Sequence, residues 1–160
     1  MLVFSRVRCF RRCFSKCVRE LKEHPTLLND LGEESQWLQF ESSLDLLREI
    51  DPTVTARAAA MLFIAAHQDR ASMVKFDLLR GRTTFHFEPD LDEEHEIVIP
   101  PVPVFVQMTA DVLRAARIDS RAHGSIPFPR GGNAVPLRVR YSNTQPWAIQ
   151  IHMSGLPEGQ

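Results

Sequence analysis

The sequence predicts an α+β fold with N-terminal helices and a mostly antiparallel sheet carrying one inserted helix. Three observations predict it. Apolar residues recur at spacings of three and four as far as about residue 69. From Ser72 the period drops to two. The strands so marked are joined by short turns, which favours antiparallel pairing.

The elements follow in order. Val7, Phe10, Phe14, Cys17 or Val18, and Leu21 mark an amphipathic helix over about residues 4–23, stopped at His24-Pro25. Leu27 to Trp37 reads as a linker with one helical turn. Ser35 to Ile50 reads as a second helix on Trp37, Leu38, Phe40, Leu44, Leu46 and Leu47. Asp51 is a suitable N-cap and Pro52 suits the first position of a third helix. That helix carries Val54, Ala58, Met61, Leu62, Ala65 and Ala66 inward and ends near Asp69.

Ser72 to Leu79 and Thr83 to Phe87 alternate around Arg80-Gly81, which predicts a hairpin. Glu88 to Glu96 reads as an acidic loop, and Ile97 to Ile99 as a short strand stopped by prolines. Val104 to Arg117 is a fourth helix, with Phe105, Met108, Val112 and Ala115 or Ala116 inward. Ser125 to Phe128, Val135 to Tyr141 and Trp147 to Met153 complete a meander. The expected organisation is a basic helical arm (1–24), a linker and helix (25–51), an α+β domain (52–153) and a flexible tail (154–160).

Hydrophobic residues make up 44% and charged residues 24% of the 160-residue chain, as in an ordinary globular domain. The longest apolar runs, such as Ala58 to Ala66, are too short to span a bilayer. The net charge of −1 conceals a division: residues 1–19 carry +6 and the remainder −7. The basic arm suits an anionic partner.

All three cysteines, Cys9, Cys13 and Cys17, form one helical stripe in that arm. Their odd number argues against a secreted disulfide framework and for a reducing compartment. A straight helix cannot wrap three cysteines and His24 around one zinc ion. Several readings of the arm stay open. Arg8, Cys9, Phe10, Arg12, Cys13, Phe14 and Cys17 could attach it to an anionic membrane surface, with reversible acylation of cysteine. It could be an organelle-targeting segment, a helix docking on an acidic partner, or a start with no role.

No catalytic, cofactor-binding or metal motif is visible. Histidines 24, 67, 86, 95, 123 and 152 are scattered, and His86 and His152 are expected at the surface. The acidic loop lacks the central glycine of a calcium loop. Arg130-Gly131-Gly132-Asn133 has two glycines without the lysine and helix of a phosphate cradle, so it reads as a turn. Trp147 and Phe128 are expected as core or interface anchors. Arg138 and Arg140 share one strand face with Arg130 nearby, a trio suited to an acidic partner or simply solvated.

From Val54 to Met153 the order of elements resembles the N-terminal module of type II secretion and type IV pilus assembly ATPases. A helix leads into Arg70-Ala71-Ser72-Met73-Val74-Lys75-Phe76, with Met73-Val74-Lys75 where the family has Asp-Ile-His. Val112-Leu113-Arg114-Ala115-Ala116-Arg117-Ile118-Asp119 ends the later helix. Gly124-Ser125-Ile126 stands at the family's Gly-Arg-Ile, without the preceding Pro-Gln-Asp, and Leu137-Arg138-Val139-Arg140 at its Leu-Arg-Val-Ser.

The resemblance implies a PAS-like sheet that docks on a motor ATPase, here without the motor. No G-x-x-x-x-G-K-[ST] is present, so ATP hydrolysis by the family's route is excluded. The expected function is a non-catalytic interaction module. It would be cytoplasmic or peripheral at a bacterial inner membrane, with a secretion or pilus ATPase or its membrane platform as partner. The alternative is a small α+β enzyme or ligand-binding domain. Nucleic acid is the least favoured partner, because the body is acidic and the arm lacks an aromatic–basic RNA signature.

Overall fold

The structure, a computed structural model, describes residues 2–24, 50–89, 94–97, 102–144 and 147–153. Helix α1 (Leu2–Glu23) packs beside α2 (Pro52–Gln68). Strands β1 (Met73–Asp77), β2 (Arg82–His86) and β3 (Glu94–Ile97) precede α3 (Val102–Ala116). Strands β4 (His123–Arg130), β5 (Asn133–Ser142) and β6 (Ala148–His152) follow. The sheet runs β3-β2-β1-β6-β5-β4, and every pairing is antiparallel. Two three-stranded meanders therefore join edge to edge through β1 and β6, with Val74 opposite Ile151 and Phe76 opposite Ile149.

The α+β class and the antiparallel sheet are as the sequence predicts. So is the start of α2: the Asp51 carboxylate accepts the Thr53 N–H at 2.8 Å, and Pro52 takes the first turn. The second expected helix and the C-terminal tail lie outside the described residues.

One face of the sheet is covered by helices. Val74, Phe76, Thr83, Phe85, Ile126, Phe128, Leu137, Val139, Ile149 and Ile151 are all buried, and alternation places them on this side. Aromatic rings link the layers. Phe14 of α1 meets Phe63 of α2 edge-on at 5.6 Å and Phe128 of β4 at 6.5 Å; Phe76 of β1 meets Phe63 at 6.4 Å and Phe105 of α3 at 6.2 Å. Such pairs contribute about 0.5–1.5 kcal/mol each beyond the area they bury.

The expectation set the first 24 residues apart as an arm ahead of the domain. In the structure the apolar stripe of α1 lies inside the domain's own core: Phe10 and Phe14 are 0% exposed, and Val18 and Leu21 are buried with them. A charged link fastens its other end. Arg6 donates to both carboxylate oxygens of Asp111 on α3, from Nε at 3.0 Å and Nη2 at 2.9 Å, and to the Ile50 carbonyl at 2.8 Å. Thr55 Oγ1 and Gln107 Nε2 also donate to Asp111, which is 2% exposed.

Other expectations need correction. Helix α2 packs against α1, α3 and β1, so Thr55, Ala56, Ala59, Ala60, Phe63 and Ile64 are buried as well as the expected face. The acidic loop gives way at Glu94, because Glu94 to Ile97 pairs with β2. The first strand stops at Asp77, whose carboxylate accepts the N–H groups of Leu79 and Arg80 and turns the chain. Strand β4 runs eight residues instead of four, through Pro127 and Pro129. Both prolines are tolerated because β4 is an edge strand. His86, expected at the surface, is 4% exposed and within hydrogen-bonding distance of Thr84 Oγ1 at 3.2 Å.

Candidate functional site: a cationic cleft on the open sheet face

The face of the sheet away from the helices is exposed over β4 and β5, where it carries the polar half of the alternation, whereas Met73, Thr84 and His86 on its β1–β2 part are buried. Cross-strand register sets its residues in rows. Ser125, Arg138 and His152 lie side by side on β4, β5 and β6. His123, Arg140 and Gln150 form the next row, which continues to Lys75 on β1. Neighbours in a row stand about 5 Å apart and successive rows about 7 Å. Between the rows lies a cleft of 270 Å³ lined by His123, Gly124, Arg138, Val139, Arg140 and His152.

Local chemistry fixes the cleft's floor. The Asp119 carboxylate accepts the N–H groups of Arg121 at 2.8 Å and His123 at 3.0 Å, while the Asp119 N–H bonds the His123 carbonyl at 2.8 Å. The bond from His123, foremost, holds Asp119 below the ordinary carboxylate range. Gly124 lets β4 pass against the end of α3: a Cβ there would stand 2.4 Å from the Ala116 carbonyl oxygen.

The cleft is cationic and unbalanced. Arg138 and Arg140 are exposed, and no carboxylate among the described residues pairs with either. Asp119 is the acid that faces His123 among the described residues, and its Oδ1 accepts two backbone N–H groups. His152 is half-buried, and its pKa is lowered by that burial first and by Arg138 and Arg140 second. Above its lowered pKa it presents a neutral imidazole between two guanidinium groups. The arrangement can hold carboxylates or other anions. It has no nucleophile paired with a base.

Of the sequence-predicted trio, the fold unites two. Arg138 and Arg140 line the cleft, whereas Arg130 shares the parity of Ile126 and Phe128 and so belongs to the helix-covered side. The expected strand stopped at Phe128; extending β4 two residues further decides the side on which Arg130 falls. His123 and His152 were missed as site residues. Alternation with Ile149 and Ile151 turned His152 outward, but nothing in the linear sequence set it and His123 beside Arg138 and Arg140.

The residues named for a membrane arm divide. Arg8, Cys9 and Arg12 are exposed, Cys13 and Cys17 are half-buried, and Phe10 and Phe14 are in the core. A surface meeting this helix would therefore meet its basic side and Cys9, not the two phenylalanines. Cys9 and Cys13 Sγ atoms lie 3.7 Å apart. Burial, foremost, together with Cys9, pushes the Cys13 thiol up to about 11, and burial raises Cys17 as well. Both stay protonated at neutral pH, the less reactive form. Among the described residues no three His, Cys, Asp or Glu side chains gather as a metal-binding group, and no helix is long and apolar enough to cross a membrane. Phe128 is a core residue as expected, while Trp147 is 51% exposed. Compared with known proteins, the chain matches no protein-family model and no curated protein.

Proposed function

We propose that this chain is a non-catalytic interaction module that docks an acidic protein surface on the open face of its sheet. The observation that carries the reading is the Arg138–Arg140 pair, exposed, without a carboxylate partner among the described residues, and flanked by His123 and His152 over one cleft. Two side chains on one strand, two residues apart, present positive charge at about 7 Å, the spacing of alternate side chains on a facing extended segment. A patch of this sign stands out on a body whose residues beyond the first 19 sum to −7. The cleft volume of 270 Å³ falls below the roughly 300–1,000 Å³ of pockets for drug-sized ligands. Its lining is largely charged rather than apolar. Both features favour side-chain carboxylates of a protein over a small molecule.

The sequence resemblance supplies the partner in this proposal: a secretion or pilus motor ATPase, or its membrane platform, met at the cytoplasmic side of the inner membrane. The test is parallel purification from native cells of the C-terminally tagged chain and its Arg138→Glu/Arg140→Glu variant. Both side chains are exposed, so the variant is expected to keep its circular dichroism and melting temperature. The reading expects an ATPase or platform protein with the first chain and its loss with the second. The same companions with both chains would overturn it.

A further inference from the structure

Cations meet a second time, on the helix-covered side of the hairpin tip. Lys22, in the last turn of α1, donates from Nζ to the Pro129 carbonyl at 2.9 Å and lies 4.3 Å from the centre of the Phe128 ring. Arg130 follows Pro129. Its Nη1 is buried without a hydrogen-bond partner. His67 stands in the last turn of α2. Lys22 loses proton affinity to burial first and to Arg130 second; His67 loses it to burial, then to Lys22 and Arg130. No carboxylate of a described residue enters either balance.

Helix C-termini favour cations, which accounts for Lys22 and His67. It does not account for Arg130, which the β4–β5 hairpin brings to the same place. Lys22 is exposed and Arg130 and His67 half-buried, so the repulsion among them is partly screened, but a buried guanidinium nitrogen left without an acceptor is unfavourable. An anion would relieve the repulsion among all three groups and give the guanidinium an acceptor.

We propose that Lys22, Arg130 and His67 form a binding site for a phosphate-type oxyanion. Two permanent positive charges match the roughly −1.5 to −2 of a phosphate monoester at neutral pH. A guanidinium fork beside an ammonium is a common pairing for phosphate oxygens. Arg130 keeps part of its surface exposed, and the space where side chains would stand at Gly131 and Gly132 is open, so the ion approaches from the hairpin tip. The lysine that the Arg130-Gly131-Gly132-Asn133 segment lacks in sequence is supplied in space by α1. The site is independent of the docking face, which lies on the opposite side of the sheet.

The test follows the His67 imidazole resonances by NMR at pH 7.5, in the Arg138→Gln/Arg140→Gln chain so that the open-face cleft cannot answer. Inorganic phosphate is titrated against sodium chloride at matched ionic strength. A saturable His67 shift with phosphate alone is expected. Arg130→Met keeps a long apolar stem without the charge, and it should weaken the response roughly tenfold or more. Lys22→Met serves the same comparison if that variant fails to fold. Phosphatidylcholine vesicles with and without phosphatidic acid distinguish the source. Binding only to the doped vesicles, lost in Arg130→Met, identifies a lipid headgroup; a phosphate response without vesicle binding identifies a soluble phosphate. Equal His67 shifts with chloride, or an unchanged phosphate response after loss of Arg130 or Lys22 charge, overturn the proposal.

Discussion

At the scale of single residues, Asp111 ties α1, α2 and α3 together. It is buried and receives hydrogen bonds from Arg6, Thr55 and Gln107, with Arg114 at 3.5 Å. Removing one partner of a buried pair leaves the other charge uncompensated, which typically costs 3–5 kcal/mol, while an exposed pair is worth roughly 0–1 kcal/mol. Asp111→Ala is therefore expected to lower the unfolding free energy by about 3 kcal/mol in urea titration. Lys16→Ala, which removes the exposed 3.6 Å pair with Glu20, should change it by less than about 0.5 kcal/mol. Equal effects would contradict the role assigned to Asp111.

The two half-buried histidines set a pH dependence. His67 and His152 both have folded pKa values below the ordinary 6.5. Below pH 6.5 the unfolded chain binds protons that the folded chain refuses, so stability falls as pH drops through 6.5 towards the lowered values. Denaturation midpoints should decrease over that window, and His67→Gln with His152→Gln should flatten the slope. Asp51 and Asp119 add a second loss below the ordinary 3.8, because their folded pKa values are lowered by backbone N–H bonds, from Thr53 and His123 foremost. A midpoint that rises on acidification from pH 6.5 would refute the assignment.

At the scale of elements, α1 shows what periodicity can and cannot convey. Its stripe of Phe10, Phe14, Val18 and Leu21 is legible in the sequence as an apolar face. Its destination is not. A stripe at helical spacing beside arginines satisfies a membrane surface and a protein core equally well, and only tertiary packing selects between them. Because the face is spent on the core, Phe14→Ala should cost about 3–5 kcal/mol, as for a buried aromatic, and reduce the cooperativity of α1 and α2 together. A cost near zero would return α1 to the status of an appendage. Helix α2 illustrates the converse. Its burial on several sides erases the one-sided period, so the sequence reading found the element but missed Ala56, Ala60 and Phe63 as contacts. The hairpins were legible through Arg80-Gly81 and Gly131-Gly132, where Gly81 and Gly131 adopt positive φ of 64° and 56°.

At the scale of the whole molecule, the sheet separates two chemistries. One face is consumed by helices, and the other keeps its alternating polar side chains. The open face holds the Arg138–Arg140 cleft, and the edge strand β4 beside it carries Pro127 and Pro129, which lack the N–H groups an added strand would pair with. Pairing of a further strand is thereby disfavoured at this edge. The pair Arg138 and Arg140 was legible from strict alternation within one strand. His123 and His152 were not, because register across strands is set by turns and pairing that a linear reading does not contain.

The most direct test of docking on the open face is an amide chemical-shift map of the full chain titrated with poly-L-glutamate at low ionic strength. Among the described residues the cleft competes for an acidic polymer with the exposed side of α1, which carries Arg8, Arg12, Lys16 and Arg19, and with Lys22 and Arg130 at the hairpin tip. The account predicts shifts concentrated on β4, β5 and β6 around His123, Arg138, Arg140 and His152, and their loss in Arg138→Glu/Arg140→Glu. Shifts confined to α1, unchanged by that variant, would contradict it.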